Sequence, residues 1–360
     1  MSGLSTPLLF IVFNRPETTA RVFAAIRRAR PARLYVAADG ARPDRDGEAA
    51  LVERTREVAT RVDWPCEVRT LFREQNLGCG RAVSSAITWF FDQEEAGIIL
   101  EDDCLPHPDF FPFCEGMLAR HRDNERVLSV SGNHFLPHAL HLAQPYYFSK
   151  YVQIWGWATW RRAWRGFDLG LGQRDDAGWM ELLDRTHPIK AEADYWKHIY
   201  RALRAGLIDT WDFQLMFDGW HRGGLHAAPA RNLISNIGYG PDATHTNFDG
   251  TLAELPVEPL VLDDTEVPVE ANPGVDNLIF YVRFLESMHQ TWWAEQVLDP
   301  TGKLENARAD AAHLRRELAQ LRSQASVHER QNRLLGEKLA TLQARLDAIP
   351  SWLSRFARNR

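Results

Sequence analysis

The sequence predicts an α/β protein in which a parallel β-sheet is covered by helices and is followed by a helical coiled coil. Between residues 7 and 125, short apolar runs alternate with stretches of helical periodicity, a pattern typical of strand–helix–strand units. From residue 304 to 346, apolar residues recur at alternating steps of three and four, which is the pattern of a coiled coil.

The apolar runs predict the strands of the sheet, which cover 8–13, 33–38, 66–72 and 98–100. Helical patterns are found at about 16–30, 47–61, 79–92 and 108–121. Pro16 suits the first turn of a helix, because the N–H that proline lacks would be unpaired there anyway. Residues 126–247 are less regular and rich in Trp, Gly and His, and we expect them to form the second half of the same domain.

We predict four parts along the chain: a globular domain at 1–275, a packing helix at 276–300, the coiled coil at 301–347 and a basic amphipathic tail at 348–360. Residues 250–274 are acidic and Pro-rich, and we expect an extended segment there that wraps the domain.

The coiled-coil prediction rests on heptad positions that continue without a break: Leu304, Ala307, Ala311, Leu314, Leu318, Leu321, Ala325, His328, Asn332, Leu335, Leu339, Leu342 and Leu346. Asn332 falls in the a series, where one buried Asn can fix the register and favour a dimer. We therefore expect a homo-oligomer, with a long helix folded back on the globular domain as the alternative. The tail after Pro350 mixes Trp352, Leu353 and Phe356 with arginines, which suits peripheral contact with an anionic membrane; a frayed tail is the alternative.

Composition narrows the class of protein. With 45% hydrophobic and 25% charged residues the chain is typical of globular domains, and its net charge of −6 gives no general attraction to nucleic acid. The four cysteines form neither a CxxC pair nor a Cys/His zinc spacing, which indicates reduced thiols in a cytoplasmic protein. Because no run of 18 apolar residues occurs, we expect no transmembrane helix.

Three consecutive carboxylates, Glu101–Asp103, follow the fourth predicted strand. Ligands of parallel sheets bind beyond the carboxyl ends of the strands, so these acids are expected to share one crevice with Asn14–Arg15 and Asp39–Gly40. Mg²⁺ and Mn²⁺ prefer oxygen ligands and complete their shells with phosphate and water. The acids therefore predict a divalent metal that carries a phosphate-bearing substrate; an acidic turn capping the helix near Pro108 is the alternative.

The run Ile99–Phe111 (Ile-Leu-Glu-Asp-Asp-Cys-Leu-Pro-His-Pro-Asp-Phe-Phe) resembles the metal-binding strand end of GT-A glycosyltransferases. It is especially similar to the Glu-Asp-Asp form in the N-acetylglucosaminyltransferase that starts complex N-glycans, and to bacterial family-two-like relatives. The resemblance implies a GT-A fold, a Rossmann-like nucleotide-diphospho-sugar transferase domain, in which Asp103 binds Mn²⁺ or Mg²⁺. It also implies that Asp102 supports the ribose or a metal-bound water and that Glu101, which replaces the Asp of the commoner Asp-x-Asp motif, faces the donor sugar.

Two further strand ends match in the same order. Phe13–Pro16 resembles the family's first strand end, where an Arg meets the nucleotide diphosphate, and Ala37–Gly40 resembles the second, where an Asp contacts the base. The resemblance gives these roles to Arg15 and Asp39. Both suit the chemistry, because a guanidinium neutralises phosphate and a carboxylate can accept from the ring N–H of uracil.

Two more segments resemble walls of the family's donor site. Asn76–Arg81 is similar to the loop-to-helix turn before the metal strand, where glycines permit close backbone approach and a helix N-terminus attracts anions; Arg81 is expected to bind the donor. Trp155–Trp160 resembles the segment that shapes the sugar and acceptor pocket, and Trp157 is the donor-binding candidate there, with a core position as the alternative.

Asp209–Gln214 resembles the family's catalytic-base region, with an Asp beside a Trp at a helix start. An inverting transfer needs a base near the acceptor hydroxyl. A carboxylate flanked by Trp211 and Phe213 would be partly desolvated, which improves it as a base. We choose Asp212 as the catalytic base and Trp211 as a donor contact; Asp209 is the alternative base, or else a helix N-cap.

Residues 232–246 resemble the flexible loop that closes over the donor in these enzymes. Gly238 and Gly240 fit a hinge, and such lids exclude water from reactive donors. His245 is the candidate for contact with the diphosphate or the metal, with a surface or core role as the alternative.

A zinc site is also conceivable, since His134, His138 and His141 have the spacing of one helical face. Pro137 interrupts that helix, and no acid lies at matching spacing, so a zinc site is not favoured.

These features predict a metal-dependent inverting glycosyltransferase of bacterial surface polysaccharide synthesis. It would move a hexose or N-acetylhexosamine from a nucleotide-diphosphate sugar, a UDP-sugar first, to a glycan or lipid-linked acceptor at the cytoplasmic face of the membrane. A sugar-nucleotide nucleotidyltransferase is one alternative, although its Gly-rich basic loop after the first strand is missing. A non-catalytic coiled-coil scaffold is the other.

Overall fold

The computed structural model describes residues 3–136, 142–238 and 255–286, together with 341 and 344. The chain divides into two compact units, 1–287 and 288–360, and every element named below belongs to the first. Apart from residues 341 and 344, which are helical, the coiled coil, the tail and the packing helix beyond residue 286 lie outside the described residues and stay predictions.

Strands of the described residues are β1 (Leu8–Val12), β2 (Arg33–Ala38), β3 (Glu67–Phe72), β4 (Ala96–Glu101), β5 (Cys104–Pro106), β6 (Val127–Ser131), β7 (Tyr146–Ser149), β8 (Trp157–Trp160), β9 (Leu225–Pro229) and β10 (Ile234–Asn236). The main sheet has the order β3–β2–β1–β4–β8–β6–β9–β7, and β10 pairs with β5 in a separate ribbon.

Helices of the described residues are α1 (Pro16–Ala29), α2 (Glu48–Ala59), α3 (Cys79–Phe91), α4 (Phe110–Arg120), α5 (Arg161–Trp164), α6 (Asp176–Thr186), α7 (Lys190–Arg204), α8 (Asp212–Arg222) and α9 (Pro273–Ile279). A π-helical segment, Phe280–Glu286, continues α9. Within the described part of the chain, no helix has both the length and the apolar character needed to cross a bilayer.

The first half of the fold is the predicted one. β3, β2, β1 and β4 are mutually parallel and alternate in sequence with α1, α2 and α3, which makes this half Rossmann-like. The predicted strands and helices of this half are confirmed to within two residues at each end. In the second half the sheet becomes mixed, because β8 lies antiparallel between β4 and β6.

The register places three strand ends at one edge of the sheet. Val12 is paired with Ala38, and Ile11 with Glu101, so the chain leaves β1, β2 and β4 at nearly the same height. Side chains that directly follow these strands must therefore lie close together.

The core follows from strand alternation. Leu8, Phe10 and Val12 point to one face of the sheet, where they join a buried cluster with residues of α1 and α4. On the opposite face, Tyr35 of β2 packs edge-on against Phe90 of α3, with ring centroids 4.9 Å apart. Both faces of the parallel half are thus covered, as predicted, apart from the exposed edge strand β3.

A second, aromatic core joins α7, α8 and the π-helical segment. Trp196 is fully buried and packs against Trp220 and Phe284, with centroids 4.8 Å from each. These contacts fasten the end of the described chain to the second half of the domain. The described part of the predicted wrapping segment, 255–272, forms no helix and lies along α4, where Arg120 donates to the carbonyl of Thr265 at 3.1 Å.

A buried polar cluster holds α7 in place. The Oε1 atom of Glu192 lies 2.9 Å from Nζ of Lys150 and 3.0 Å from Nδ1 of His187. It also accepts a hydrogen bond from the hydroxyl of Tyr151. Burial alone would raise the pKa of Glu192, but the hydrogen bonds of these partners outweigh it and lower the pKa to about 2.

We predict that Glu192→Ala lowers the free energy of unfolding by about 3–5 kcal/mol, because it leaves Lys150, whose side chain is only 15% exposed, without its counter-charge. Because the folded pKa is depressed, the stabilisation by Glu192 is present above the unfolded pKa of about 4.3 and is lost as the pH falls toward 2. Urea denaturation between pH 7 and pH 3 measures both effects. Glu181→Ala, on an exposed face of α6, should change stability by no more than about 0.5 kcal/mol; equal losses in the two variants would contradict the prediction.

Candidate functional site

A cleft of about 370 Å³ opens beyond the carboxyl ends of β1, β2 and β4. Its apolar walls come from these strands and from the first turns of α3. Its polar lining consists of Arg15, Asp39, Arg42, Arg73, Asn76, Glu101, Asp102, Asp103, Asp209 and Asn236. The structure thus brings together the three predicted strand ends in one crevice.

The acids at the end of β4 are held by Arg15. The chain turns directly after Glu101, so strand alternation stops there and all three carboxylates line the same cleft. Asp102 is 2% exposed, accepts the backbone N–H of Phe13 at 3.2 Å and pairs with the Arg15 guanidinium. Asp103 pairs with the same guanidinium at 3.0 Å and keeps 17% of its side chain exposed. Asp102 is therefore a buried support, whereas Asp103 is an acid that a ligand can reach; Glu101 is also only partly buried.

This arrangement carries more negative charge than Arg15 neutralises. Burial, followed by repulsion from Asp103 and Asp102, raises the pKa of Glu101 well above its usual range. Burial also raises the pKa of Asp102, although the charge of Arg15 opposes the shift. For Arg15 itself, burial would lower the pKa, but the two carboxylates raise it above its usual value. A site in which carboxylates resist ionisation is one where an added cation is favourable.

The donor set fits a metal that arrives with an anionic ligand. No group of three or more His, Cys, Asp or Glu side chains in the described residues could hold a metal ion. Mg²⁺ and Mn²⁺ commonly take only one or two protein carboxylates and complete their shells with phosphate and water. Asp103 can supply one such carboxylate, and Arg15 would have to share it.

Asp39 closes the neighbouring part of the cleft. Its carboxylate accepts the backbone N–H of Leu77 at 3.0 and 3.1 Å and the N–H of Gly40 at 3.0 Å. Burial raises the pKa of Asp39, and these backbone hydrogen bonds partly offset the shift. Each oxygen has two lone pairs, so Asp39 holds the loop before α3 and still has acceptor capacity toward a ligand.

The N-terminus of α3 already holds an anion, the carboxylate of Asp209. Asp209 accepts the backbone N–H of Cys79 at 2.9 Å and that of Gly80 at 3.0 Å. Sequence reasoning expected this helix end to attract an anionic ligand, and the structure shows that the chain itself provides the anion. Asp209 caps α3 and does not cap the helix that follows it.

Asp212 is the first residue of α8 and follows Asp209, which lines the cleft, by three residues. Its Oδ1 accepts the hydroxyl of Thr210 at 2.5 Å, and its Oδ2 lies 3.6 Å from the guanidinium of Arg283. Its charge helps to raise the pKa of both Glu101 and Cys79, so it lies near the cleft, although it is not among the residues that line it. Both of its oxygens are thus oriented, one from each side.

Three predicted donor-binding residues lie elsewhere. Trp157 and Trp211 are 1% and 2% exposed and stack on each other in the core, with centroids 5.7 Å apart, so neither indole reaches the cleft. Trp155 lines it instead. Arg81 is exposed on α3 and is not part of the cleft wall. His245 lies outside the described residues.

Sequence reasoning missed two arginines of the cleft. Arg73 directly follows β3, so the strand-end rule that identified Arg15 and Asp39 would also have identified it. Arg42 pairs with Glu48 at the start of α2 and lies over the ring of Phe13 at 5.5 Å. The contact with Phe13 joins separate loops and leaves no local signal in the sequence.

The zinc alternative gains no support from the described residues. Nδ1 of His134 lies 2.9 Å from the carbonyl oxygen of Pro229, at a distance for a hydrogen bond. His138 and His141 lie outside the described residues.

Comparisons with known proteins add little. Neither a protein-family model nor a curated protein matches this sequence. Among solved structures, the chain is similar to a crystal structure of apo UDP-glucose pyrophosphorylase, with a TM-score of 0.28 and 10% identity over 62% of this chain and 90% of that one. A TM-score this low carries no argument, so the fold assignment rests on the sheet topology and the function on the cleft.

The start of the predicted lid passes directly over the acids. The backbone N–H of Ile237 donates to the carbonyl oxygen of Asp103 at 2.8 Å. A Cβ atom at Gly238 would lie 2.4 Å from Oδ2 of Asp103 and 2.6 Å from Nη1 of Arg15. Glycine is required here because the Arg15–Asp103 ion pair occupies the space of a side chain. The rest of the predicted lid, from residue 239 to 246, lies outside the described residues.

We predict that Gly238→Ala lowers the free energy of unfolding by about 1–3 kcal/mol, the usual cost of overpacking, because the methyl group must displace the ion pair or the backbone. Gly274→Ala is the matched control, because its Cβ would lie 3.4 Å from Asn272, an ordinary contact. This substitution should change the free energy of unfolding by less than about 0.5 kcal/mol. Thermal or urea unfolding measures both variants. If Gly238→Ala were as stable as the wild type, the segment would not be held against the acids.

Proposed function

We propose that this protein is a metal-dependent inverting glycosyltransferase that moves a sugar from a UDP-sugar to a glycan or lipid-linked acceptor. One observation carries the proposal: Arg15, Asp39 and the three acids after β4 meet in one cleft at the carboxyl ends of parallel strands. That edge is where open α/β sheets bind nucleotides. The guanidinium of Arg15 suits a diphosphate, and the carboxylate of Asp39 suits a nucleobase. The accessible carboxylate of Asp103 suits a metal ion.

Asp103 is the residue that would hold Mn²⁺ or Mg²⁺. When bound, the ion supplies charge neutralisation for the leaving diphosphate. Arg15 would share this task, since its guanidinium already lies between Asp102 and Asp103 and can also reach an anion in the cleft. Asp102, which is buried and takes the N–H of Phe13, keeps Arg15 in place.

Asp212 is the proposed base. The hydroxyl of Thr210 and the guanidinium of Arg283 orient its two oxygens, and a base must be held in one orientation to take the acceptor proton as the new bond forms. An inverting transfer needs the base on the side of the sugar opposite the leaving diphosphate. Asp212 is near enough to Glu101 for its charge to raise the pKa of that residue, which supports a base close to the acids.

A nucleotidyltransferase would use the same fold, but nothing in the cleft favours it. β1 ends at Val12 and α1 begins at Pro16, so the loop between them has no room for a glycine-rich phosphate cradle. No lysine is among the described residues that line the cleft.

We predict that one UDP-sugar together with Mn²⁺ raises the Tm of the wild type and that the Mn²⁺-dependent part of the shift disappears in Asp103→Ala, because Asp103 is the reachable carboxylate. At a ligand concentration of 100 Kd the free energy of unfolding rises by about 2.7 kcal/mol. This corresponds to an increase in Tm of several degrees, at about 2–4 °C per kcal/mol. A thermal-shift screen of nucleotide sugars with and without Mn²⁺ measures it. Asp123→Ala, an exposed acid away from the cleft, should behave as the wild type. If no nucleotide gave a metal-dependent shift in Tm, the enzyme proposal would be wrong and a non-catalytic scaffold would be favoured.

We predict that Asp212→Asn lowers kcat for sugar transfer by about 10²–10⁴-fold, the usual contribution of a general base, with donor affinity unchanged. The amide keeps the size of the side chain but cannot take the acceptor proton. Release of UDP, followed with the donor and acceptor that the wild type uses, measures kcat, and calorimetric titration measures donor affinity. Unchanged turnover in Asp212→Asn would remove Asp212 from the mechanism.

A further inference from the structure

The loop between β3 and α3 lies between two carboxylates from distant parts of the chain. On one side Asp39 accepts the backbone N–H of Leu77. On the other side Asp209 accepts the N–H groups of Cys79 and Gly80 at 2.9 and 3.0 Å. Asp39 belongs to the proposed nucleotide side of the cleft, and Asp209 precedes the helix that carries Asp212. The loop therefore joins the two sides through these hydrogen bonds.

The contact on the Asp209 side is closely fitted. A Cβ atom at Gly78 would lie 2.5 Å from Oδ2 of Asp209, and one at Gly80 would lie 2.8 Å from Oδ1 of Asp209 and from the carbonyl oxygen of Thr210. Gly78 also has a φ of +79°, in the region that favours glycine. Two glycines thus let residues 209 and 210 approach the start of α3 at backbone distance.

From Asp209 the connection continues to the proposed base. Thr210 packs its backbone on Gly80 and donates its hydroxyl to Oδ1 of Asp212 at 2.5 Å. Asp209 does not cap α8, the helix that follows it, because the N-cap of α8 is Trp211 and that residue makes no side-chain capping hydrogen bond. Both oxygens of Asp209 accept backbone N–H groups at the start of α3, which suits an anchor.

We propose that Asp209 is a positioning residue that fastens the segment carrying Asp212 to the donor-side loop 76–80. A donor that orders this loop through Asp39 thereby also fixes Asp212 relative to the sugar. The inference rests on the proposed function for its kinetic consequence, but the physical coupling between loop 76–80 and residues 209–214 can be measured without turnover.

The kinetic test compares Asp209→Ala with the matched variant Asp175→Ala. Asp175 also accepts a helix N-terminal N–H, that of Gly178 at 2.8 Å, but it is not part of the cleft wall. We expect Asp209→Ala to lower kcat by about 10- to 100-fold, since small misplacements near the reacting groups have effects of this size, with donor Kd changed less than about threefold. Asp175→Ala should leave kcat unchanged.

A double-mutant cycle separates positioning from a merely structural role. If Asp209 acts through Asp212, Asp209→Ala should cause little further loss of kcat in the Asp212→Asn background. Additive losses would overturn the inference, because a general loss of structure lowers the residual rate as well. Asp209→Asn, which keeps one acceptor oxygen, provides a second variant if Asp209→Ala folds poorly, and it should lose less activity than Asp209→Ala.

Hydrogen–deuterium exchange tests the coupling with UDP and MnCl₂ as the probe. In the wild type we expect slower exchange on ligand addition both in residues 76–80 and in residues 209–214. In Asp209→Ala only residues 76–80 should be protected. If UDP protected both segments equally in the variant, Asp209 would not be the link, even if sugar transfer were observed. If the wild type showed the coupled protection but no transfer with any acceptor, the proposed function would fail and the inference would stand.

Discussion

The pairing of Arg15 with the acids after β4 is the interaction on which the candidate site depends. Burying a carboxylate is costly unless a counter-charge and hydrogen bonds accompany it. Asp102 receives both, from the guanidinium of Arg15 and from the N–H of Phe13. These two partners directly follow β1, so the parallel pairing of β1 with β4 brings them to Asp102 and allows this acid to be buried without a large loss of stability.

The same need for hydrogen-bond partners explains why carboxylates that accept backbone N–H groups organise the cleft. Asp39 and Asp209 together take the N–H groups of Leu77, Cys79 and Gly80, which would otherwise be unpaired at the start of α3. Each acid therefore fixes the loop, and neither needs a cationic partner to do so. As a result, the loop is attached to both acids, and the charge left for a ligand is at Asp103, because burial and repulsion raise the pKa of Glu101.

The parallel half of the fold could be predicted because its signals are local. Apolar runs and helical periods mark β1 to β4 and α1 to α3, and the rule for strand ends then places Arg15 and Asp39 at the cleft. The second half could not be predicted in the same way. The antiparallel position of β8 between β4 and β6 depends on tertiary pairing, and the contact of Arg42 with the ring of Phe13 depends on how two loops meet.

The tryptophans show where local reasoning stops. Trp155 and Trp157 are two residues apart and would share a face of a continuous strand, yet Trp155 lines the cleft and Trp157 is buried. Gly156 separates them with a φ of +61°, and a Cβ there would lie 2.5 Å from Ile234. The strand begins only after this glycine, so alternation does not relate the two indoles. A residue that permits the left-handed backbone conformation therefore decides which aromatic ring a ligand in the cleft can meet.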